Sequence, residues 1–236
     1  MKEVVRLNQE TWCIQEENVR FFLLIGTEKA VMIDSGMTCK NALEIATQLT
    51  DLPVELINTH ADPDHVACNS QFGKIWMHPA EYANLYFKKD GAAEMNLNPL
   101  WDMDTIDLGG RLLKVIELPG HTPGSIAIYD AKYACLFGGD AIQNGRIFMF
   151  GPMRNMRAYI HSLKRLENLN LPVKDVLPSH AGSPLKPCVV SGLIRDAEEI
   201  LAGKTAYTLE NVHNQTVRAY QGQYAVFLCD NTSAEG

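Results

Sequence analysis

The stretch His60-Ala61-Asp62-Pro63-Asp64-His65 places four side chains able to ligate a metal within six residues. Pro63 pushes Asp62 towards an extended backbone, and in an extended segment His60 and Asp62 point to the same side. Asp62 or Asp64 can then cap a short helix reaching Phe72, with His65 in its first turn. One pair of donors comes from the turn and another from the helix entrance, which suits two adjacent ions. A surface turn of Asp and Pro with stray histidines would carry the same letters, so the rest of the chain has to decide between them.

Working outward, five apolar strand-like runs each lead into an ionisable residue. Ala30–Ile33 leads to Asp34, and Glu55–Asn58 leads through Thr59 to His60. Arg111–Leu118 leads through Pro119 and Gly120 to His121. Ala134–Phe137 leads through Gly138 and Gly139 to Asp140, and Val173–Leu177 leads through Pro178 and Ser179 to His180. Strand ends are where rigid elements deliver side chains into a shared cleft.

In this order the motifs resemble the metallo-β-lactamase superfamily, whose signature H-x-H-x-D-H is followed by a lone His, an Asp and a last His. Here the signature reads H-x-D-x-D-H. It is followed by Leu-Pro-Gly-His121-Thr-Pro-Gly-Ser, Phe-Gly-Gly-Asp140 and Leu-Pro-Ser-His180-Ala-Gly, and preceded by Ile33-Asp34-Ser35-Gly36. The resemblance spans residues 10 to 186. It implies an α/β fold, a four-layer αββα sandwich with the metals at one edge. It also implies a first ion held by His60, Asp62 and His121 and a second held by Asp64, His65 and His180. Asp140 would bridge the two, and Asp34 would steady the His60–His65 loop without ligating. Asp64 and Asp140 are the candidate catalytic carboxylates.

The cofactors implied are two divalent transition metals (zinc, iron or manganese), with occupancy by one ion open. Asp62 stands where the family usually has histidine, so the centre carries one positive charge less, which favours harder ions such as iron or manganese. The activity implied is that of a metal-dependent hydrolase, in which a metal-bound hydroxide attacks a small ester, thioester, lactone or phosphodiester. Two alternatives stand beside it. One is a non-haem iron redox enzyme, since flavodiiron proteins carry a carboxylate at the same step. The other is a non-catalytic metal-binding module.

Composition narrows the function further. The 236 residues are 46% hydrophobic and 21% charged, ordinary for a globular chain, and no Pro/Gly/Ser-rich linker divides them, so a single domain over 1–236 is expected. Twenty-one basic against 28 acidic residues leave a net charge of −7, which gives no general attraction for nucleic acid or anionic lipid. A small-molecule substrate is therefore the expected partner, and a nuclease ranks low. The start, Met-Lys-Glu-Val-Val-Arg, lacks the apolar core of a signal peptide. The six cysteines form no C-x-x-C, which reads as a cytoplasmic protein with reduced thiols. A β-lactamase proper is disfavoured for want of an export signal, and a glutathione-thioester hydrolase for want of a basic C-terminal helical segment. Neither G-x-S-x-G nor G-x-G-x-x-G is present.

The remaining signals are local. Helices are expected from a Thr38 cap to Leu49, and over Pro79–Lys88, Asn155–Asn168 and Pro187–Leu201. Val4–Leu7, Thr11–Gln15, Arg20–Ile25, Ser125–Tyr129 and Tyr224–Cys229 read as strands. Residues 89–107 have no period and read as an irregular segment able to overhang a site. His78 reads as a helix-entry residue, His161 as solvated and His213 as lying in a polar stretch. Met149, Phe150, Met153 and Met156 could line a substrate mouth or pack a core. Arg146 and Arg154 could meet an anion or simply lie on the surface.

Overall fold

The computed structural model describes residues 3–88 and 94–230. The chain divides into two compact units that no single cut separates: Met1–Ile116 with Ile128–Tyr133, and Glu117–Ala127 with Ala134–Gly236.

The first unit contains a seven-stranded sheet whose spatial order follows the sequence: β1 (Glu3–Asn8), β2 (Thr11–Gln15), β3 (Arg20–Ile25), β4 (Ala30–Ile33), β5 (Val54–Ile57), β6 (Ile75–Met77) and β7 (Leu97–Pro99). The connections between β1 and β4 are short, and those strands pair antiparallel. From β4 onward the pairs are parallel, and parallel neighbours need crossovers. Helix α1 (Ala42–Leu49) forms the first, the ligand-bearing loop the second and helix α2 (Tyr82–Lys88) the third. Parallel pairing brings the carboxyl ends of β4, β5 and β6 to one edge, which is where open α/β sheets bind ligands. Beneath it lies a core of Ile14, Phe21, Leu23, Met32, Ile45, Ala46 and Leu56. Pro99 is on an edge strand, where a missing N–H is tolerated.

Three expectations fail in this unit: the start of α1, the loop helix and the irregular reading of 89–107. Helix α1 starts at Ala42, not just after Thr38. Thr38 is claimed by the buried Glu16: its backbone N–H and hydroxyl both donate to that carboxylate, at 3.2 and 3.1 Å. The first turn of the helix is served from a distance instead, because Gln71 Oε1 accepts from Leu43 N at 3.1 Å. No α-helix runs from Asp62 to Phe72. The loop turns irregularly and has only a 3₁₀ turn at Asn69–Gln71, because its N–H groups bond to i−3 carbonyls, as His65 does to Asp62 and Asn69 to Val66, or to another segment, as Ala67 does to Gly36. The segment 89–107 contains β7 and the three-residue β8 (Thr105–Asp107), which pairs with β9 (Leu112–Glu117). Residues 89–93 lie outside the described part.

Arg111 ties the unit together. Its side chain is fully buried, and every one of its five N–H groups finds an acceptor. Nε and Nη2 donate to Asp130 Oδ2 at 3.1 and 2.6 Å, and Nη2 also donates to Thr11 Oγ1 at 2.7 Å. Nη1 donates to the carbonyls of Glu10 and Ile25 at 2.6 and 3.1 Å. The fork thus joins the start of β2, the end of β3 and the end of β10 (Ile126–Asp130), a strand with residues in both units.

In the second unit β11 (Cys135–Gly139) pairs parallel with β13 (Asp175–Pro178). A second sheet has the order β12 (Arg146–Met149), β16 (Val226–Cys229), β15 (Gln215–Gln221) and β14 (Tyr207–Val212). Helix α3 (Met156–Asn168) is capped by Asn155, whose side chain accepts from Ala158 N at 2.9 Å. Helix α4 (Val189–Leu201) completes the unit. The β14–β15 hairpin escapes the sequence reading because most of its residues are exposed and no apolar alternation marks it. Its two-residue turn, His213-Asn214, has φ of 50 and 62°, the mirror-image geometry usually announced by Asn-Gly.

Breaking the Arg111 fork should cost far more than breaking a surface pair. Asp130→Ala is expected to lose about 3–5 kcal/mol in urea unfolding, since it strands a buried guanidinium. Lys132→Ala, which removes the part-exposed Lys132–Glu10 pair, should lose less than about 1 kcal/mol. Equal losses would contradict this account. Burial also raises the Cys13 thiol to about 11 and the Cys229 thiol to about 12. Because the raised group stays a neutral thiol at pH 8, alkylation of the native chain should reach the exposed Cys188 and spare those two until the protein is unfolded, as mass spectrometry would show.

Candidate metal centre

Asp34 immediately follows β4 and holds a left-handed backbone, φ 62°, which aspartate tolerates better than most residues. Its backbone N–H donates to Ile57 O at 2.8 Å, continuing the β4–β5 ladder by one bond. Its buried carboxylate accepts three hydrogen bonds: from Thr59 N at 2.7 Å, from Thr59 Oγ1 at 2.7 Å and from His65 Nδ1 at 2.8 Å. The Thr59 hydroxyl gives its proton to Asp34, so its oxygen is left to accept from His60 Nδ1 at 3.0 Å. One carboxylate thereby sets the tautomer of both histidines, and in each it leaves Nε2 as the atom available to a metal.

Each Nε2 then faces a carboxylate. His60 Nε2 lies 3.6 Å from Asp62 Oδ2, and His65 Nε2 lies 3.6 Å from Asp64 Oδ2. The two rings are 4.0 Å apart. His60 and His65 are buried, whereas Asp62 and Asp64 keep part of their surface in solvent.

The backbone of the loop is held as firmly as its side chains. The His65 carbonyl accepts from Ser35 N at 2.9 Å, from Ser35 Oγ at 3.2 Å and from Asn58 Nδ2 at 3.1 Å. Asn58 and Asn69 bond to each other in both directions. Ala61 and Val66 pack with Met77 and Leu85 in a small apolar cluster.

The second unit brings together His121, Asp140 and His180. His121 Nδ1 donates to the Phe148 carbonyl at 3.0 Å, so its Nε2 is again the free-electron-pair nitrogen. That Nε2 lies 3.7 Å from Asp140 Oδ2, and His180 Nε2 lies 3.2 Å from Asp140 Oδ1. The two oxygens of one carboxylate thus address two different imidazoles. Gly120, just before His121, has φ 144°, and a Cβ there would sit 2.4 Å from Tyr159 Cα, so α3 can approach the turn only at a glycine. Arg154 donates to the His121 carbonyl.

The donor set fits divalent cations. Ligand bonds of 2.0–2.2 Å around a tetrahedral ion put neighbouring donors about 3.4 Å apart. The four His–Asp separations, 3.6, 3.6, 3.7 and 3.2 Å, straddle that value, and most are too long for a hydrogen bond. Within each unit the pairs are therefore spaced as ligands of a shared ion.

Other residues settle into ordinary roles. His78 caps the 3₁₀ turn Pro79–Glu81, accepting from Ala80 N, and His161 is exposed. His213 stacks on Phe148 with rings 5.8 Å apart and nearly parallel. Met149, Phe150 and Met156 are buried, and Met153 is exposed. Arg146 pairs with Glu210. The positioning groups that the sequence did not reveal are Ser35, Asn58, Asn69 and the Phe148 carbonyl. Only Thr59, as the neighbour of His60, carried a sequence hint.

Comparison with known proteins agrees with this geometry. Residues 16–180 match the model of the metallo-beta-lactamase superfamily. The human acyl-coenzyme A thioesterase MBLAC2 is 25% identical over 212 residues, covering 73% of this chain and 76% of that protein. A hydroxyacylglutathione hydrolase from Gloeobacter violaceus is 32% identical over 158 residues, 65% of this chain and 60% of its own. Among solved structures, a metallo-beta-lactamase from Pontibacter korlensis superposes with a TM-score of 0.68 at 21% identity, covering 83% of this chain and all of the other. One from Erythrobacter litoralis gives 0.64 at 17% identity, over 84% and 96%. The chain belongs to the metallo-beta-lactamase superfamily, with its α/β fold, and is a hydrolase of that superfamily.

Replacing Asp34 by Asn keeps the size of the side chain and its tolerance of the left-handed backbone, but removes the charge that orients two imidazoles. Affinity for a divalent ion, measured by chelator competition, should fall about 10–100-fold. Unchanged affinity would mean that Asp34 does not govern the histidines.

Proposed function

We propose that the chain is a metal-dependent thioesterase acting on a small acyl thioester. Its ions would be held by His60, Asp62 and His121 and by Asp64, His65 and His180, with Asp140 shared between them. The observation that carries this reading is Asp140 itself: Oδ2 faces His121 Nε2 and Oδ1 faces His180 Nε2, as a carboxylate shared by two cations must. The thioester class draws on the relatives, since acyl-coenzyme A and hydroxyacylglutathione are both thioesters. Those relatives are named for hydrolysis, which favours it over redox chemistry or passive binding.

When bound, such ions supply a Lewis acid and bring the pKa of a coordinated water towards neutrality. The protein's own groups do the rest. Asp34 keeps His65, and through Thr59 His60, with Nε2 unprotonated and aimed. The Phe148 carbonyl does the same for His121. Asp64 and His180 keep part of their surface exposed, which leaves a way in for a substrate carbonyl. Asp140 is the candidate to orient the nucleophile. The charge added by Asp62 favours iron or manganese beside zinc.

A small-molecule substrate and a cytoplasmic setting complete the proposal. The six cysteines are thiols and not disulfides, as in a reducing compartment, and the net charge of −7 gives no pull on nucleic acid. Among the described residues no helix is long and apolar enough to cross a membrane.

Protein purified without chelator should contain transition metal by elemental analysis and release thiol from acyl-coenzyme A or acylglutathione. Chelation should abolish that release, and iron, manganese or zinc should restore it. Asp140→Asn should lower turnover at least about a hundredfold, and Asp62→His should shift metal preference towards zinc. Phosphodiester or lactone turnover by the reconstituted protein, with no thiol release from either thioester, would defeat the thioester assignment.

A further inference from the structure

We propose that Glu81 is a positioning residue that fixes the separation of His60 and Asp62 and so sets the affinity for the ion those two residues hold. The inference rests on the metal-centre reading above and adds to it a residue from a different strand crossover.

Glu81 closes the 3₁₀ turn that follows β6, and its carboxylate is completely buried. Oε2 accepts from Ala61 N at 2.9 Å and lies 3.4 Å from Asn84 Nδ2, which donates to it. Ala61 is the single residue between His60 and Asp62, and it is packed in an apolar cluster with Val66, Met77 and Leu85. The peptide between His60 and Ala61 is therefore held twice, by the Glu81 acceptor at its N–H and by apolar packing of Ala61.

The grip matters because the loop has no helix to define it. Rotation of that one peptide plane would swing His60 and Asp62 relative to each other and alter the 3.6 Å between Nε2 and Oδ2. Asp34 governs the ring orientation of His60 through Thr59. Glu81 reaches the backbone between the pair, through the Ala61 N–H. A neutral acceptor could satisfy the N–H. The position of the acceptor atom, and not its charge, therefore holds the peptide plane.

The test is direct metal binding by the full chain. Wild type, Glu81→Ala, Glu81→Asp and Glu81→Gln are titrated with cobalt(II) and zinc against a chelator, with cobalt followed by its visible spectrum. The apo proteins are compared by thermal unfolding. Glu81→Ala should weaken one ion at least tenfold, leave the other within threefold of wild type and change the cobalt spectrum. Glu81→Asp keeps the charge but withdraws it from Ala61 N, and should show the same selective loss. It decides the matter if the alanine variant does not fold. Glu81→Gln, which restores the acceptor, should recover most of the affinity. Wild-type affinity for every ion in the alanine and aspartate variants overturns the proposal, and so does equal weakening of all ions in step with apo stability. A wild type that binds no divalent ion would instead overturn the metal centre itself, so the two failures are told apart.

Discussion

The carboxylate of Asp34 is the constraint on which the first half of the site depends. It sits one residue past β4, beside the end of β5, and parallel pairing of Ile33 with Ile57 makes those two ends adjacent. Three donors converge on it, and through them it determines which nitrogen of His60 and of His65 is presented. An imidazole left to choose its own tautomer would offer the wrong atom part of the time. Here the choice is made before any ion arrives, which is how a site avoids reorganisation on binding. The left-handed backbone of Asp34 is the local strain that this placement demands.

Around that carboxylate, the loop from His60 to Phe72 is ordered without regular secondary structure. Its buried backbone groups must still be satisfied, and side chains do so: Ser35 and Asn58 on the His65 carbonyl, Glu81 on the Ala61 N–H. Fully bonded buried networks of this kind are rigid, and the loss of one member leaves the others exposed to the low dielectric. The second unit uses a different device. A glycine lets the His121 turn lie against the backbone of Tyr159, and a main-chain carbonyl, not a carboxylate, directs the ring. A carbonyl adds no net charge, so the negative charge of the donor set is concentrated on Asp62, Asp64 and Asp140.

That concentration bears on the chemistry. A metallo-hydrolase needs enough positive charge to acidify water and enough negative charge to hold its ions. Substituting aspartate at the step where the family usually has histidine moves the balance towards tighter charge neutralisation and harder cations. Asp62 faces His60 Nε2 across 3.6 Å, a spacing compatible with two ligands of one ion.

Much of this was legible in the chain alone. Apolar runs ending in ionisable residues marked β4, β5, β9, β11 and β13, and apolar strand-like runs marked β2, β3 and β16. The helical spacing of Tyr159, Ile160, Leu163 and Leu166 marked α3. The family, the fold and the hydrolase class followed from the order of the motifs, because strand ends are points where local sequence and function coincide. The tertiary structure decided what depends on partners distant in sequence. It gave Thr38 to Glu16 and moved the start of α1, denied the ligand loop a helix, and paired the exposed β14 and β15. It placed Ser35, Asn58, Asn69, Glu81 and the Phe148 carbonyl around histidines they do not neighbour in sequence. A motif records which atoms can bind, while the direction each atom faces is set by hydrogen bonds that close only when remote segments meet.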